Sequence, residues 1–201
     1  MEFELLGAVS LGLSHEQFAY AGKFVMTNTE KVVARESDES GQKANARESD
    51  KADKKTSAPE SGESGQKASA PESDKADEII AAAAFNQDYS TPACARVRYV
   101  TVREDRRGEG IGPQLLEWTA EQLQGQFESV AIAVNNPIAY QACHRAGFVW
   151  TGEETGIAEL RMRYAPEVTD PKRYQDGLAV FQGRELPPEQ AQVLKRNAEQ
   201  R

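Results

Sequence analysis

Residues 99–116, with the sequence YVTVREDRRGEGIGPQLL, decide the fold of this chain. The residues from Val100 to Val102 are all β-branched, which predicts the end of a β-strand. Ile111 and Leu115 begin a run of apolar residues at helical spacing, so we expect a helix to follow. The charged, glycine-rich turn between these two elements therefore lies at the N-terminus of a helix.

Three glycines characterise this turn. Gly108, Gly110 and Gly112 carry no Cβ atom that would hold an anion away from the backbone. Their amides lie at the positive end of the expected helix dipole, which favours anions. Pro113 suits the first helical turn, because its missing N–H would have no partner there in any case. The turn therefore predicts a phosphate-rich ligand.

Two common phosphate-binding designs do not fit the turn. A P-loop requires a lysine directly after its second glycine, and the turn contains no lysine. A dinucleotide fingerprint requires a third glycine three residues after the second, where this chain has Pro113 or Leu115, depending on the starting glycine. A plain strand-to-helix turn that uses glycine for tightness stays open as the alternative.

A third design matches the turn. The pattern Arg107-x-x-Gly110-x-Gly112, placed after a strand that ends at Val102, resembles motif A of the GCN5-related N-acetyltransferases, the GNAT superfamily. In that family the amides of the loop hold the pyrophosphate of acetyl coenzyme A. The resemblance therefore implies acetyl-CoA as co-substrate.

A second motif strengthens the resemblance. Asn136-x-x-Ala139, followed by a helix and then by Gly147-Phe148, is similar to motif B of the same family. Two motifs in the right order and at the right distance are far more specific than either one alone. On these residues the chain is identified as a member of the GNAT superfamily.

The resemblance implies an α/β fold of the α+β kind, with a GNAT-like mixed, mostly antiparallel central sheet, splayed strands and helices on both faces. It is clear over residues 78–164 and weak over residues 1–34. Residue patterns predict strands near Phe3–Leu6, Lys31–Ala34, Ile79–Phe85, Ala95–Val102, Val130–Val134, Val149–Gly152 and Ile157–Tyr164. A capping box at Ser14 and Gln17 also predicts a helix that reaches Val25.

Composition divides the chain into four parts. We predict an N-terminal part of the acetyltransferase domain, an insert, the acetyl-CoA-binding core and a C-terminal helical extension, at residues 1–34, 35–77, 78–165 and 166–201. The insert repeats one unit, at Ala34–Asp53 and Ala58–Asp77, and has almost no apolar side chains. Such a segment cannot offset its ordering entropy, which predicts a disordered low-complexity loop at a hairpin tip.

The resemblance assigns coenzyme contacts residue by residue. Backbone amides of the splayed strand would bind the pantetheine arm and the acetyl carbonyl, the loop would bind the phosphates, and a helix-capping asparagine would touch the pantetheine. The residues implied are Val100, Thr101, Val102, Arg107, Gly108, Glu109, Gly110, Ile111, Gly112 and Asn136. A purely structural role stays open for two of these residues: Arg107 could form a surface ion pair, and Asn136 could serve as a helix N-cap alone.

Catalytic residues are harder to assign. Many family members place a tyrosine, as general acid, four residues after the motif B alanine, where this chain has Cys143. Tyr140 lies one helical turn earlier and is the second candidate. The expected strand 95–102 contains no carboxylate, so the general base is sought at Glu153, with Glu154, Glu159 or a water molecule as alternatives.

The composition of the chain limits the partners that we expect it to bind. A net charge of −8 argues against general nucleic-acid binding, and no apolar run is long enough to span a membrane. The two cysteines lack metal-ligand spacing, so we expect no metal. These features predict a cytoplasmic protein, either a monomer or a homodimer.

Two functions stay open at the level of the sequence. The first is an N-acetyltransferase that transfers the acetyl group directly to a small-molecule or peptide amine. The resemblance implies that the acceptor lies between residues 14–29 and 153–159, whose carboxylates favour a cationic amine. The second is a catalytically degenerate acyl-CoA-binding module with a regulatory or interaction role, which Cys143 and the missing strand carboxylate would suit.

Overall fold

The computed structural model describes residues 1–36 and 78–199. Within them, the strands are β1 (Glu2–Gly7), β2 (Glu30–Arg35), β3 (Ile79–Gln87), β4 (Cys94–Val102), β5 (Ser129–Val134), β6 (Phe148–Glu154) and β7 (Leu160–Tyr164). The α-helices are α1 (Ile111–Gln124), α2 (Pro137–Arg145), α3 (Pro171–Phe181) and α4 (Pro188–Glu199). Residues 37–77 lie outside the described residues, and the predicted disorder of the insert stays a prediction.

The strands form one seven-stranded sheet in the order β1-β2-β3-β4-β5-β7-β6. Every neighbouring pair is antiparallel except β4 and β5, which are parallel. The predicted class, a mixed and mostly antiparallel sheet, is therefore confirmed. β3 contains four consecutive alanines, which favour a helix by propensity, yet it is a buried central strand, as predicted.

The sheet opens between β4 and β5. Their pairing runs only from Cys94–Ser129 to Val97–Ile132. In contrast, β4 stays paired with β3 as far as Val102. The segment Arg98–Val102 therefore has a free edge on the side of β5, which is the predicted splay.

A β-bulge lies where the opening begins. Val97 pairs with Phe85 and Tyr99 pairs with Ala84, so Arg98 is an extra residue in β4. The bulge shifts the alternation of side chains: Val97 and Val100 both pack in the cluster beneath α1, whereas Tyr99 packs on the other face. A bulge also bends and twists its strand, which accounts for the divergence of β4 from β5.

The two faces of the sheet are covered differently. One face carries the main core, formed with all four α-helices. The other face is covered by the N-terminal segment, whose buried apolar residues are Leu11, Leu13, Phe18, Ala21 and Phe24. The helix predicted over this segment is wrong: it forms turns and one short 3₁₀ helix, Ala21–Lys23. Its chain path turns at Tyr20, which adopts a left-handed conformation with φ 61°, so the helix cannot continue.

The structure also moves the start of the insert. Arg35 belongs to β2, where it pairs with Ile79 and forms an ion pair with Glu4 at 3.0 Å. The amide of Glu36 donates to the carbonyl of Glu78 at 3.1 Å and extends the hairpin. The predicted boundary at Arg35 is therefore too early, because strand pairing continues through this residue.

The β3–β4 connection offers a test of the fold. Asp88 is 5% exposed and accepts hydrogen bonds from the amide and hydroxyl of Ser90, at 2.9 and 2.7 Å, and from Arg96 at 3.0 Å. The Ser90 hydroxyl, the Ser90 amide and the Arg96 charge lower the pKa of Asp88 to about 2. A carboxylate with a lowered pKa stabilises the fold above its unfolded pKa, and this contribution is lost as the pH falls through the folded pKa.

We predict that Asp88→Asn lowers the free energy of unfolding by about 1–2 kcal/mol at neutral pH. The difference from wild type should shrink as the pH falls from about 4 to about 2, because the wild-type carboxylate then becomes protonated. Urea unfolding at several pH values measures both effects. Asp105→Asn is the control, since Asp105 is 63% exposed and should contribute little. Equal destabilisation at all pH values would contradict the assignment.

Candidate functional site

The loop between β4 and α1 has the backbone that its glycines predict. After a 3₁₀ turn, Glu104–Arg106, the chain passes through Gly108 with φ +91° and Gly110 with φ +82°. Both values lie in the left-handed region, which glycine adopts without a steric penalty. Gly110 is the N-cap residue of α1, so the loop ends directly on the helix N-terminus.

The backbone amides at the end of this loop have no acceptor among the described residues. No side chain caps the start of α1, and within the described part of the chain the amides of residues 108–112 find no acceptor. Gly112 lies against β4, where an added Cβ would be 3.5 Å from Val102. The loop is therefore held close to the strand and presents a row of free N–H groups at the positive end of a helix dipole, which is a ready site for an anion.

The three arginines of the loop differ in their ion pairs. Arg106 binds Glu109 at 3.0 Å and Glu36 at 2.6 Å, and Arg103 binds Asp105 at 2.8 Å. Arg107 is exposed, and its guanidinium donates to the carbonyl of Val102 at 3.4 Å. Across the residues described, it forms no ion pair, so the alternative pairing with Glu104 or Asp105 is not present. Its charge is therefore the one left for a bound phosphate.

The free edge of β4 supplies the second part of the site. Val100 and Val102 are half-buried and face α1. Thr101 points to the opposite face and is 4% exposed. Its hydroxyl oxygen is the buried side-chain oxygen that has no hydrogen-bond partner among the described residues. A buried hydroxyl without a partner is costly, so this position would gain from a polar ligand group nearby.

Asn136 forms the opposite wall, at the end of β5. Its Oδ1 accepts a hydrogen bond from the amide of Ala139 at 2.9 Å, and its Nδ2 donates to Asn135 at 3.1 Å. Asn136 is therefore the N-cap of α2, followed by Pro137 in the first helical turn. Its predicted contact with the pantetheine arm stays a prediction that is compatible with this capping role.

Cys143 lies in the core. Its side chain is 1% exposed and packs in the cluster between α2 and the sheet. Burial raises the pKa of the thiol to about 12. An ordinary thiol has a pKa of about 8.5, so proton transfer from Cys143 to a departing thiolate would be unfavourable. The geometry weighs against a proton-donor role, which stays a prediction.

Tyr140 is equally buried and faces the C-terminal extension. Its hydroxyl donates to the carbonyl of Tyr174 at 3.2 Å, and the two rings stack at 5.5 Å. The ring of His144 also stacks with that of Tyr174, at 4.1 Å. Burial raises the pKa of Tyr140 and lowers the pKa of His144, so both side chains stay neutral at physiological pH.

The predicted base lies elsewhere. Glu153 is exposed on β6 and binds Arg161 at 3.2 Å, and its neighbour Glu154 binds Arg184 at 3.3 Å. The structure therefore does not bring the three predicted catalytic residues together: Tyr140 and Cys143 lie on the buried side of α2, and Glu153 lies in the closing hairpin. Arg184 was not predicted, because no motif marks it in the sequence.

The described residues show neither a metal-binding cluster nor a membrane-spanning helix. In these parts of the chain, no group of three or more His, Cys, Asp and Glu side chains could hold a metal ion. Their helices are also too short or too polar to cross a membrane.

Comparison with known proteins identifies the family. Residues 36–148, more than half of the chain, match the family described as "Acetyltransferase (GNAT) family". The chain belongs to this family. No curated protein sequence matches it.

Similar solved structures are distant. The protein smu.2055 from Streptococcus mutans is 14% identical over 83% of this chain and 99% of that chain, with a TM-score of 0.48. An IAA acetyltransferase from Bacillus cereus is 14% identical over 81% and 97%, with a TM-score of 0.46. The putative acetyltransferase yncA from Salmonella typhimurium, solved with acetyl-CoA, is 15% identical over 48% and 64%, with a TM-score of 0.39. This chain thus spans less than two thirds of yncA, and 57% of nourseothricin acetyltransferase.

The loop yields a direct prediction. Gly110→Asp places a carboxylate at the free amides, so acetyl-CoA binding should weaken by about a hundredfold or more. Asp and Asn tolerate the left-handed conformation better than other side chains, so the protein should still fold. Calorimetric titration with acetyl-CoA measures the affinity, and the melting temperature reports folding.

Gly110→Asn is the matched control for this experiment. It has the shape of aspartate without its charge, so its affinity should lie between those of the wild type and Gly110→Asp. A folded Gly110→Asp variant that binds acetyl-CoA like the wild type would show that the loop does not hold the phosphates.

Proposed function

We propose that this protein is an N-acetyltransferase that transfers the acetyl group of acetyl-CoA directly to an amine. One observation carries the proposal: the free amides at the start of α1 stand directly beside the free edge of β4. An anion-binding helix end next to an unpaired strand edge suits a long ligand that has phosphates at one end and amide groups along its arm.

The proposed pose follows from this arrangement. The pyrophosphate would accept hydrogen bonds from the amides of residues 108–112, with Arg107 adding positive charge. The pantetheine arm would run along the edge of β4 from Val102 towards Val100, with Asn136 on the other side. The acetyl group would then lie in the opening between β4 and β5, where an acceptor can approach from the face of the N-terminal segment.

The chemistry requires few protein groups. The neutral amine attacks the thioester carbonyl carbon, a C–N bond forms, the C–S bond breaks and the sulfur leaves as a thiolate. One proton leaves the nitrogen and one reaches the sulfur. Because Cys143 and Tyr140 are buried and hold their protons tightly, we propose that water relays these protons and that positioning supplies most of the rate.

The acceptor class remains broad in this proposal. Carboxylates at residues 153 and 154 suggested a preference for cationic amines, but Arg161 and Arg184 neutralise both of them. Glu159 has no ion pair within the described residues and stays the carboxylate of the hairpin that could attract a cation. We therefore propose a small-molecule or peptide amine as acceptor, in a soluble cytoplasmic protein.

A second function is favoured by a specific observation. The position that many family members give to a catalytic tyrosine holds Cys143, which is buried and protonated. A protein that keeps the coenzyme site but lacks transfer chemistry, an acyl-CoA-binding module with a regulatory role, would have this arrangement. Binding without turnover would distinguish it from an enzyme.

We predict that the full-length protein releases free thiol from acetyl-CoA in the presence of at least one amine in a panel of polyamines, amino-acid amides and peptides. Release should require both substrates. Calorimetric binding of acetyl-CoA serves as the parallel measurement. Tight binding without amine-dependent thiol release across the panel would contradict the enzyme and favour the binding module.

Cys143→Ala, tested in the same assay, examines the proton donor. We expect kcat/KM to stay within about twofold of wild type, whereas a buried deletion of this size should lower the stability by about 1 kcal/mol. A fall in kcat of more than about tenfold with an unchanged KM would instead assign proton transfer to the thiol.

A further inference from the structure

The C-terminal extension is part of the core. Leu178 and Phe181 of α3 are 3% and 0% exposed and belong to the main hydrophobic cluster. Tyr174, also on α3, stacks with both Tyr140 and His144 of α2. The extension lies after the residues that match the family, yet it is packed directly on the helix that bears motif B. A residue of the extension can therefore act on the site.

Arg184 follows α3 and makes three contacts with different parts of the fold. Its Nη1 donates to the carbonyl of Asn135 at 3.3 Å. Its Nη2 donates to Glu154 at 3.3 Å. Its guanidinium carbon lies 4.7 Å from the centre of the Phe181 ring, so the charged group also forms a cation–π contact with this ring. The side chain is 23% exposed, so solvent screens these contacts only in part.

These contacts join two elements that lie on the same side of the opening, the side of β5. Asn135 lies in the turn between β5 and α2 and precedes Asn136, which caps α2 and faces the proposed pantetheine path. Glu154 ends β6, in the closing hairpin that flanks the proposed acceptor region. No other arginine ion pair within the described residues links the hairpin to another element, since Arg161 binds Glu153 of the same hairpin.

We propose that Arg184 is a positioning residue for the coenzyme, because it fixes the β5–α2 turn, which carries Asn136, against the closing hairpin. This inference rests on the proposed function. The two hydrogen bonds of Arg184, to the carbonyl of Asn135 and to Glu154, are called the bridge below. They use two different nitrogens of one planar guanidinium group. A lysine carries its donors on one compact nitrogen, so it does not place two separate nitrogens on the two acceptors as the planar guanidinium does.

Calorimetric titration of the full-length protein with acetyl-CoA tests the inference. Arg184→Gln should raise the Kd about five- to tenfold, because the turn that carries Asn136 is no longer held. Arg184→Lys keeps the charge but loses the bridge, so its Kd should resemble that of Arg184→Gln rather than that of wild type. Melting temperatures should stay within a few degrees of wild type for both variants.

Arg173→Gln is the matched control. Arg173 is an exposed arginine of the same extension, and its side chain has no ion pair within the described residues. Its loss removes one positive charge without disturbing the bridge, so the Kd should stay within about twofold of wild type. Equal weakening by Arg173→Gln would show a general charge effect and overturn the inference.

A double-mutant cycle with Glu154→Gln examines the bridge itself. If Arg184 acts by joining the turn to the hairpin, Glu154→Gln alone should raise the Kd, and adding it to Arg184→Gln should change little further. Additive effects would overturn the bridge.

The remaining outcomes are equally decisive. A lower melting temperature with an unchanged Kd would assign Arg184 a purely structural role and overturn the inference, while the coenzyme site would stand. Absence of acetyl-CoA binding by the wild-type protein would instead overturn the proposed function, and the inference with it.

Discussion

The early end of the pairing between β4 and β5 is the constraint on which the site depends. A parallel pair normally continues as far as both strands reach, because each lost pair leaves backbone donors and acceptors unmatched. Here the extra residue at Arg98 bends β4 away from its neighbour, and the segment after it keeps only the partner β3. The free edge of this strand, the glycine loop at its end and the capped helix after β5 together make up the proposed coenzyme cleft.

The N-terminal segment and the C-terminal extension each contact one wall of the proposed cleft. The loop is anchored to the N-terminal segment, because the amide of Glu104 donates to the carbonyl of Gln17 at 2.9 Å. The opposite wall is supported by the C-terminal extension, through the stacked ring of Tyr174 and the contacts of Arg184. The cleft is therefore held by both ends of the chain, although the two motifs that characterise the family lie in its middle.

The sequence predicted the features that depend on local chemistry. The glycine-rich turn indicated a loop that ends on a helix N-terminus, Asn136 indicated a helix cap, and the β-branched run ending at Val102 indicated a strand. Features set by distant contacts were not predictable. Turns replace the helix that was expected to begin at Ser14, because the apolar side chains of this segment that pack on the sheet are not at helical spacing. Likewise, Arg184 gains its partners only when α3 packs on α2.

Amide hydrogen exchange with and without acetyl-CoA tests the central claim most directly. The amides of residues 108–112 have no acceptor within the described residues, so they should exchange rapidly in the free protein. We expect acetyl-CoA to slow the exchange strongly in residues 99–112 and 135–139, because the coenzyme supplies the missing acceptors. Unchanged exchange in residues 108–112 at saturating acetyl-CoA, or protection confined to other parts of the chain, would contradict this account of the site.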